Sequence, residues 1–554
     1  MKQTTSRRAP VTTIQPLLGW VRGLNDPLRS AKHAQRWIAR LPARDPFEVQ
    51  RQALELVVNF PGSRREATLS QVEALLKLDA RLEPIVADLT AQYAQNYDKS
   101  SAVESRLWHA AFDLVKAFVG AYNQALTAGF PHVQHRRWRI ILPWCLLRLA
   151  HYRGFDGKYR LFRYSHWIPA QWKEFHEIFD LGRTRSWQRQ PLLIGPAHFT
   201  GPATSLEHVY LRTLLLMRLD SGNFTPDQVE WVARQIDEWA TALTLSSAAS
   251  DAAGFMVDLA GTQGLRRRDK RPVGGQLLYV DTSPLYSRLV ERLRWLPERD
   301  DNPAPPGELP AREQRLLLLR LASLFGPEAI AQAPRASRHH ADEHVRVVSG
   351  LHALTRAVAE IGQLPEAART PGVMTSFDEA TMVNPGVNPA SIERRVRGSR
   401  WRMVDRSDTG CRLEAPAREA PARLGELLAI LDDDNWILGV VRRMQRQQVD
   451  EMTVGVEIVA RRLLRVLMRS WSAPSDSARG GQERPFFGIY LPHVDENRQG
   501  SQRSLIGPDD RFAPGGMVEL DTGNARYLIR LTATIERQTG WTWTRFNAVR
   551  KLGA

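Results

Sequence analysis

Apolar residues recur at helical spacing over the first 250 residues and in short alternating runs from residue 344 onward. A period near 3.6 lines one face of a helix and a period of 2 lines one face of a strand, so the change of period separates two kinds of structure. Residues 47–60, 69–89 and 108–126 carry the helical spacing; in the last of these Phe112, Val115, Phe118, Val119 and Tyr122 fall on one face. Asn59-Phe60-Pro61-Gly62-Ser63 and Gly129-Phe130-Pro131 break the pattern as connectors. The helix lengths and short connectors resemble an α-solenoid, although no repeat period stands out. Eleven of the sixteen tryptophans precede residue 300, widely spaced among Leu and Val, as anchors between helices would be.

The 554 residues are enough for about three to five domains. The predicted fold class is multidomain α + β. Residues 1–250 form an all-helical half. Residues 251–330 form a mixed α/β connection with strands near 254–259 and 276–281, a basic hairpin tip at 266–271, helices at 283–295 and 308–325, and a loop with five prolines at 297–310. Short strands are then expected at 344–348, 401–404, 411–414, 427–431, 436–443 and 452–458. That cadence suits a small barrel, assigned to residues 331–470 with an insertion at 351–391 that reads as a helix followed by a loop. After a Ser/Gly/Pro-rich break, strands at 486–491, 517–520, 526–534 and 541–549 suggest a second, degenerate small β-barrel over 482–554.

The formal net charge is +16, and 67 of the 76 basic residues are arginine. Such a balance invites an anionic partner, but an arginine excess without lysine-rich tails fits a solvated surface better than a nucleic-acid footprint. Trp541, Trp543 and Arg545 form the one aromatic-basic alternation of interest, and it reads more simply as one face of a barrel strand. Cys145 and Cys411 lie far apart, which argues against a disulfide scaffold or a cysteine zinc site and fits a cytoplasmic location. No run reaches the ~20 apolar residues of a membrane helix, and Arg148 breaks the longest, near 140–150.

Motifs for catalysis are missing. Lys158 follows Gly154 at the wrong spacing for a phosphate loop and no Ser or Thr comes after it. Nucleophile-elbow and zinc-helix motifs are absent, and His339-His340 would point to opposite faces of a strand. The chain is expected not to be an enzyme, and no cofactor or metal is expected.

The run from Trp401 to Leu413 reads as strand, tight turn, strand, with D-x-S-x-x-G (Asp405, Ser407, Gly410) at the turn. Asp and Ser side chains hydrogen-bond well at exposed turns, and Gly410 would permit a positive φ where the chain reverses. Downstream, Trp436-Ile437-Leu438-Gly439-Val440-Val441 and Met452-Thr453-Val454-Gly455-Val456-Glu457 follow as strands. Over about residues 335–460 this order resembles PilZ domains, receptors for the bacterial messenger cyclic di-GMP. In that family an arginine motif precedes the first strand of a six-stranded barrel and a [D/N]-x-S-x-x-G turn follows.

The resemblance implies that cyclic di-GMP is the ligand and that Arg335, Arg338, Asp405, Ser407 and Gly410 bind it. Arg335 and Arg338 are spaced R-x-x-R where the family has R-x-x-x-R. A second arginine group, Arg394, Arg395, Arg397 and Arg400, lies just before the turn. Arginine offers a planar fork for phosphate or for the O6/N7 edge of guanine, and Asp405 can accept from guanine N–H groups. The expected protein is therefore a cytoplasmic cyclic di-GMP receptor that signals through its helical half to a protein partner, with no membrane span and no nucleic-acid partner. The alternatives are a helical-repeat adaptor with ligand-free barrels and a nucleic-acid binder.

Overall fold

The computed structural model describes residues 26–42, 45–62, 66–97, 101–193, 203–219, 221–269, 275–297, 305, 307–327, 337–361, 398–418, 423–432, 435–446, 450–461, 463–471, 484–492, 503–521 and 525–553. The chain forms two compact units, one from residues 1–221 and 225–331, the other from 222–224 and 332–554.

The first unit begins with α1 (Ala31–Ile38), α2 (Pro46–Val58), α3 (Leu69–Asn96), α4 (Ser101–Gly129), α5 (Arg136–Phe162) and α6 (Pro169–Thr184). A short ladder, β1 (Leu192–Leu193) and β2 (Ala203–Thr204), precedes α7 (Leu206–Met217) and α8 (Pro226–Trp239). Side chains fix the helix starts: Asp45 accepts from the amides of Phe47 and Glu48, and Thr68 with Gln71 forms a capping box. The unit is not a solenoid, because α5 packs against α3, α4, α6, α7 and α8 at once. Residues 145–152 of this helix are buried on every side, which erases the one-sided pattern of a surface helix.

Arg148, which interrupts the longest apolar run of the sequence, is buried within α5. Its Nε and Nη2 each donate to Asp79 of α3 at 2.6 Å, and Tyr122 and Tyr152 donate their hydroxyls to the same carboxylate. Burial and the Asp79 charge hold both tyrosines well above their usual pKa, so they remain donors.

Residues 251–330 belong to this unit too. A four-stranded sheet, ordered β3-β6-β4-β5, is built from β3 (Leu245–Ser246), β4 (Phe255–Asp258), β5 (Arg266–Arg267) and β6 (Leu277–Val280), and α9 (Ser283–Trp295) and α10 (Ala311–Phe325) follow. The basic run is not merely a solvated tip. Arg267 lies over the Phe255 ring and donates to the carbonyls of Leu324 and Gly326, and Arg268 donates to Ser250 O at 2.6 Å.

The second unit contains two closed six-stranded antiparallel barrels. The first comprises β7 (His339–Ser349), β8 (Ser399–Arg406), β9 (Gly410–Pro416), β10 (Leu427–Asp432), β11 (Asn435–Arg446) and β12 (Glu451–Ala460), ordered β10-β11-β12-β9-β8-β7, with α11 (Leu351–Ile361) inserted after β7. The second comprises β13 (Leu464–Ser470), β14 (Phe486–Leu491), β15 (Ser504–Gly507), β16 (Met517–Asp521), β17 (Arg526–Gln538) and β18 (Trp541–Gly553). All six strands expected for the first barrel are present. The expected boundary at residue 470 is displaced: β13, only a few residues beyond β12, pairs with β14 and β16 in the second barrel.

The barrels share a core of Leu427, Leu438 and Val440, Leu354 and Val358 of α11, and Ile489, Ile506, Trp541 and Trp543. Trp541 Nε1 donates to Gly425 O at 3.0 Å, and Arg442 bridges Glu457 (2.7 Å) and Glu536 (2.5 and 2.6 Å). Trp541 and Trp543 are therefore interior residues and offer no stacking platform to bases. Among the described residues no helix is long and apolar enough to cross a membrane.

Asp79→Asn leaves the Arg148 charge buried without its carboxylate and should destabilise the helical unit by about 3–5 kcal/mol. Urea unfolding followed by circular dichroism reads this directly. The double change Asp79→Leu with Arg148→Met should recover most of the loss, and a single-variant loss near zero would contradict the assignment.

Candidate functional site

The D-x-S-x-x-G run forms the hairpin between β8 and β9. The Ser407 amide donates to the Gly410 carbonyl at 2.7 Å, and the Ser407 hydroxyl donates to the same oxygen at 3.1 Å. Ser407 is buried, so its side chain shapes the turn from within. Thr409 O accepts from the Ile458 amide at 2.9 Å, which ties the turn to β12.

Gly410 is required for a different reason than the sequence suggests. Its φ is not among the left-handed ones. A Cβ placed on it would lie 2.8 Å from the carbonyl oxygen of Val456. The position needs space for a close backbone approach, not conformational freedom.

Asp405 stands at the end of β8, beside irregularities in register on both flanks: between Met403 and Asp405 against β9, and between His340 and Glu343 of β7. Its carboxylate is held between two guanidinium groups. Arg338 Nη1 donates to Oδ1 at 2.8 Å, and Arg412 Nη2 lies 2.8 Å from Oδ2. The Asp405 side chain is only 14% exposed, whereas Arg338 and Arg412 are 48% and 44% exposed. The acid is thus packed beneath two arginines that still face water. Arg461 adds a third cation at the turn, donating to the carbonyls of Ser407 (3.4 Å) and Asp408 (3.1 Å). Arg406 faces Asp432 at 3.3 Å and Glu343 at 3.6 Å.

The structure brings Arg338, Asp405, Ser407 and Gly410 together. Arg335 lies outside the described residues, as do Arg394, Arg395 and Arg397 of the second group. Arg400 is described and stands opposite Arg346 in the β7–β8 ladder, at the other end of β8 from Asp405. Arg412 and Arg461 were not among the expected site residues. Arg412 could have been found, since it follows Gly410 by two positions on an alternating strand and pairs across the hairpin with Asp405. Arg461 reaches the turn only because β12 folds beside β9, and no local pattern announces that.

Cys411 follows the turn and is buried. Burial, with the nearby Asp405 and Asp432 carboxylates, pushes its thiol up to about 12, so it stays protonated at neutral pH. The site offers guanidinium forks, one carboxylate and a tightly held turn: groups that recognise a phosphate and a base edge.

Residues 32–250 match the family model for the N-terminal domain of the cyclic-di-GMP receptor FimW. The match covers about two fifths of the chain and falls within the helical unit, so it is independent of the β8–β9 turn. No curated protein and no solved structure matches the chain.

Gly410→Ala forces Cβ against the Val456 carbonyl and should destabilise the first barrel by about 1–3 kcal/mol. Ser407→Ala removes one turn hydrogen bond and should cost about 1 kcal/mol. Denaturant midpoints of the barrel transition report both, and unchanged midpoints would show that the turn is not held as described.

Proposed function

We propose that the chain is a cyclic di-GMP receptor that takes up the dinucleotide at the β8–β9 turn of the first barrel and signals through the helical unit to a protein partner. The observation that carries the reading is the Arg338–Asp405 contact. The arginine just before the first strand and the acid of the D-x-S-x-x-G turn, distant in sequence, meet at 2.8 Å. The match of residues 32–250 to the FimW receptor domain supports the same ligand from the other end of the chain.

The chemistry follows from what each group still has to give. Asp405 holds Arg338 through one terminal nitrogen, and the exposed remainder of the fork is free to reach a phosphate or the O6/N7 edge of guanine. Arg412 and Arg461 raise the positive potential where two phosphates would sit. Asp405 can accept from guanine N–H groups while remaining between its arginines. Ser407 and Gly410 act through the turn, one as its internal hydrogen bond and the other as the space that lets it lie on β12. Binding without turnover is all this arrangement requires.

Calorimetry with cyclic di-GMP should show a dissociation constant of tens of micromolar or tighter, about −6 to −7 kcal/mol or better. Arg338→Ala and Asp405→Ala should each weaken binding more than tenfold, and Arg338→Lys should fail to restore it, because a point charge lacks the bidentate fork. Arg400→Ala should leave affinity within about twofold. Undetectable binding by the unaltered protein would end the proposal; unchanged affinity in both alanine variants would move the site elsewhere.

A further inference from the structure

Asp405 and Arg412 stand directly opposite each other in the β8–β9 ladder. The preceding pair, Met403 and Leu413, is buried. Between the two pairs β8 advances two residues while β9 advances one, and an extra residue of this kind re-aims the side chain that follows it. Asp405 is thereby turned toward the exposed Arg412. On its other side Arg412 pairs with Gly455 of β12, which carries no side chain. Among the described residues, Asp405 is the one side chain with which Arg412 forms an ion pair.

Elsewhere in this chain arginines close a two-pronged grip on a carboxylate. Arg148 donates through Nε and Nη2 to both oxygens of Asp79, each at 2.6 Å. Arg442 meets Glu536 at 2.5 and 2.6 Å, and Arg163 meets Glu104 at 3.1 and 2.8 Å. Such a grip needs both oxygens turned to one edge of one guanidinium. At Asp405 the oxygens are divided. Oδ1 takes Arg338 Nη1 at 2.8 Å, and Oδ2 lies 2.8 Å from Arg412 Nη2. Arg338 therefore meets the acid through Nη1, and its Nε–Nη2 edge is left over.

We propose that Arg412 is a positioning residue: by holding the second oxygen of Asp405 it keeps the Arg338 fork from closing on the protein's own acid. The inference rests on the reading of the β8–β9 turn as the cyclic di-GMP site and assigns Arg412 a role there beyond its charge. With Oδ2 held, Arg338 is oriented by one contact and presents the Nε–Nη2 edge, the pair of donors that fits a phosphate or the O6/N7 edge of guanine. With Oδ2 released, the carboxylate can turn both oxygens to Arg338, as Asp79 does to Arg148. A ligand then has to break a charge-assisted contact before it can form its own. Arg461 cannot substitute, because its bonds at the turn go to the carbonyls of Ser407 and Asp408.

The test combines calorimetry of the full chain with cyclic di-GMP and crystal structures of the ligand-free protein. Arg412→Met should weaken binding about tenfold, the cost of competing with a closed charge-assisted contact. Arg412→Lys, which keeps a cation on Oδ2, should stay within about threefold of the unaltered protein. In an Arg338→Ala background Arg412→Met should cost at most about threefold, because no fork remains to be held open. The ligand-free crystal structures read the geometry by itself: one Arg338–Asp405 contact in the unaltered protein and two in Arg412→Met. A single contact in Arg412→Met would overturn the assignment, as would a loss with Arg412→Lys equal to that with Arg412→Met. Equal losses with and without Arg338 would also overturn it and make Arg412 a ligand contact in its own right. If the unaltered protein binds no cyclic di-GMP, the receptor reading falls, and the two crystal structures still decide whether Arg412 divides Asp405.

Discussion

The backbone of Gly410 lies so close to the carbonyl of Val456 that no side chain fits between them. Much of the barrel unit is organised around that approach. It seats the β8–β9 turn on β12, where the Ile458 amide takes the Thr409 carbonyl, and so fixes where Asp405 and Ser407 stand. The same stretch of β12 carries Glu457, which Arg442 grips with one side of its fork while the other side holds Glu536 of the second barrel. Turn, strand and neighbouring barrel are thus joined by backbone contact and one bridging guanidinium. A barrel without free edges tolerates such a fixed turn, since all its strands are paired on both sides.

Arginine chemistry explains why the net charge of +16 was a poor guide by itself. Many of these side chains are committed within the protein. Arg148 is buried against Asp79, Arg442 bridges two glutamates, and Arg267 and Arg268 satisfy backbone carbonyls at a sheet edge. Arg148 and Arg442 each use several donors in a fixed plane, a task lysine performs badly. Arg338 differs: one contact to a largely buried acid orients it, and about half of its side chain remains in water. An orienting partner and unused donors separate Arg338, the arginine proposed to face the ligand, from these structural ones.

The helical half and the two barrels were legible because period and cadence are local properties of sequence. Even the inserted helix α11 falls where its spacing places it. What stayed hidden depends on tertiary register. The strand β13 alternates like its neighbours, and nothing local tells which barrel it joins. Ser504–Gly507 is too short to register as a strand until β14 and β18 flank it. Trp541 and Trp543 alternate with Thr542 and Thr544, and the pattern reads the same whether one face meets solvent or, as here, a second barrel. At the site, Asp405, Ser407 and Gly410 were visible as turn residues, but the role of Gly410 was not, since a close approach involves a partner strand more than forty residues away. Arg148 looked like a break in an apolar run because its partner, Asp79, sits on another helix.

The position of Arg338 gives the proposed receptor a direct mechanical reading. The residue immediately precedes β7, whose first residues lie beside the D-x-S-x-x-G turn and whose last residues lead through Gly350 into α11. That helix packs on β7 and β10 of the first barrel and on β13 and β14 of the second, within their shared core. A ligand that pulls on the free side of the Arg338 fork therefore acts on one end of a strand whose other end carries the helix between the barrels. The ladder beside Arg338 is irregular, between His340 and Glu343, while the pairing of residues 343–347 with β8 is continuous. Slack at the ligand end and rigidity beyond it would confine a small displacement to the entry of β7 unless the whole strand moves, and α11 would feel only the latter. Whole-strand movement would have to repack Leu354 and Val358 against Ile489 and Leu491, a dense apolar contact that favours discrete arrangements over graded ones.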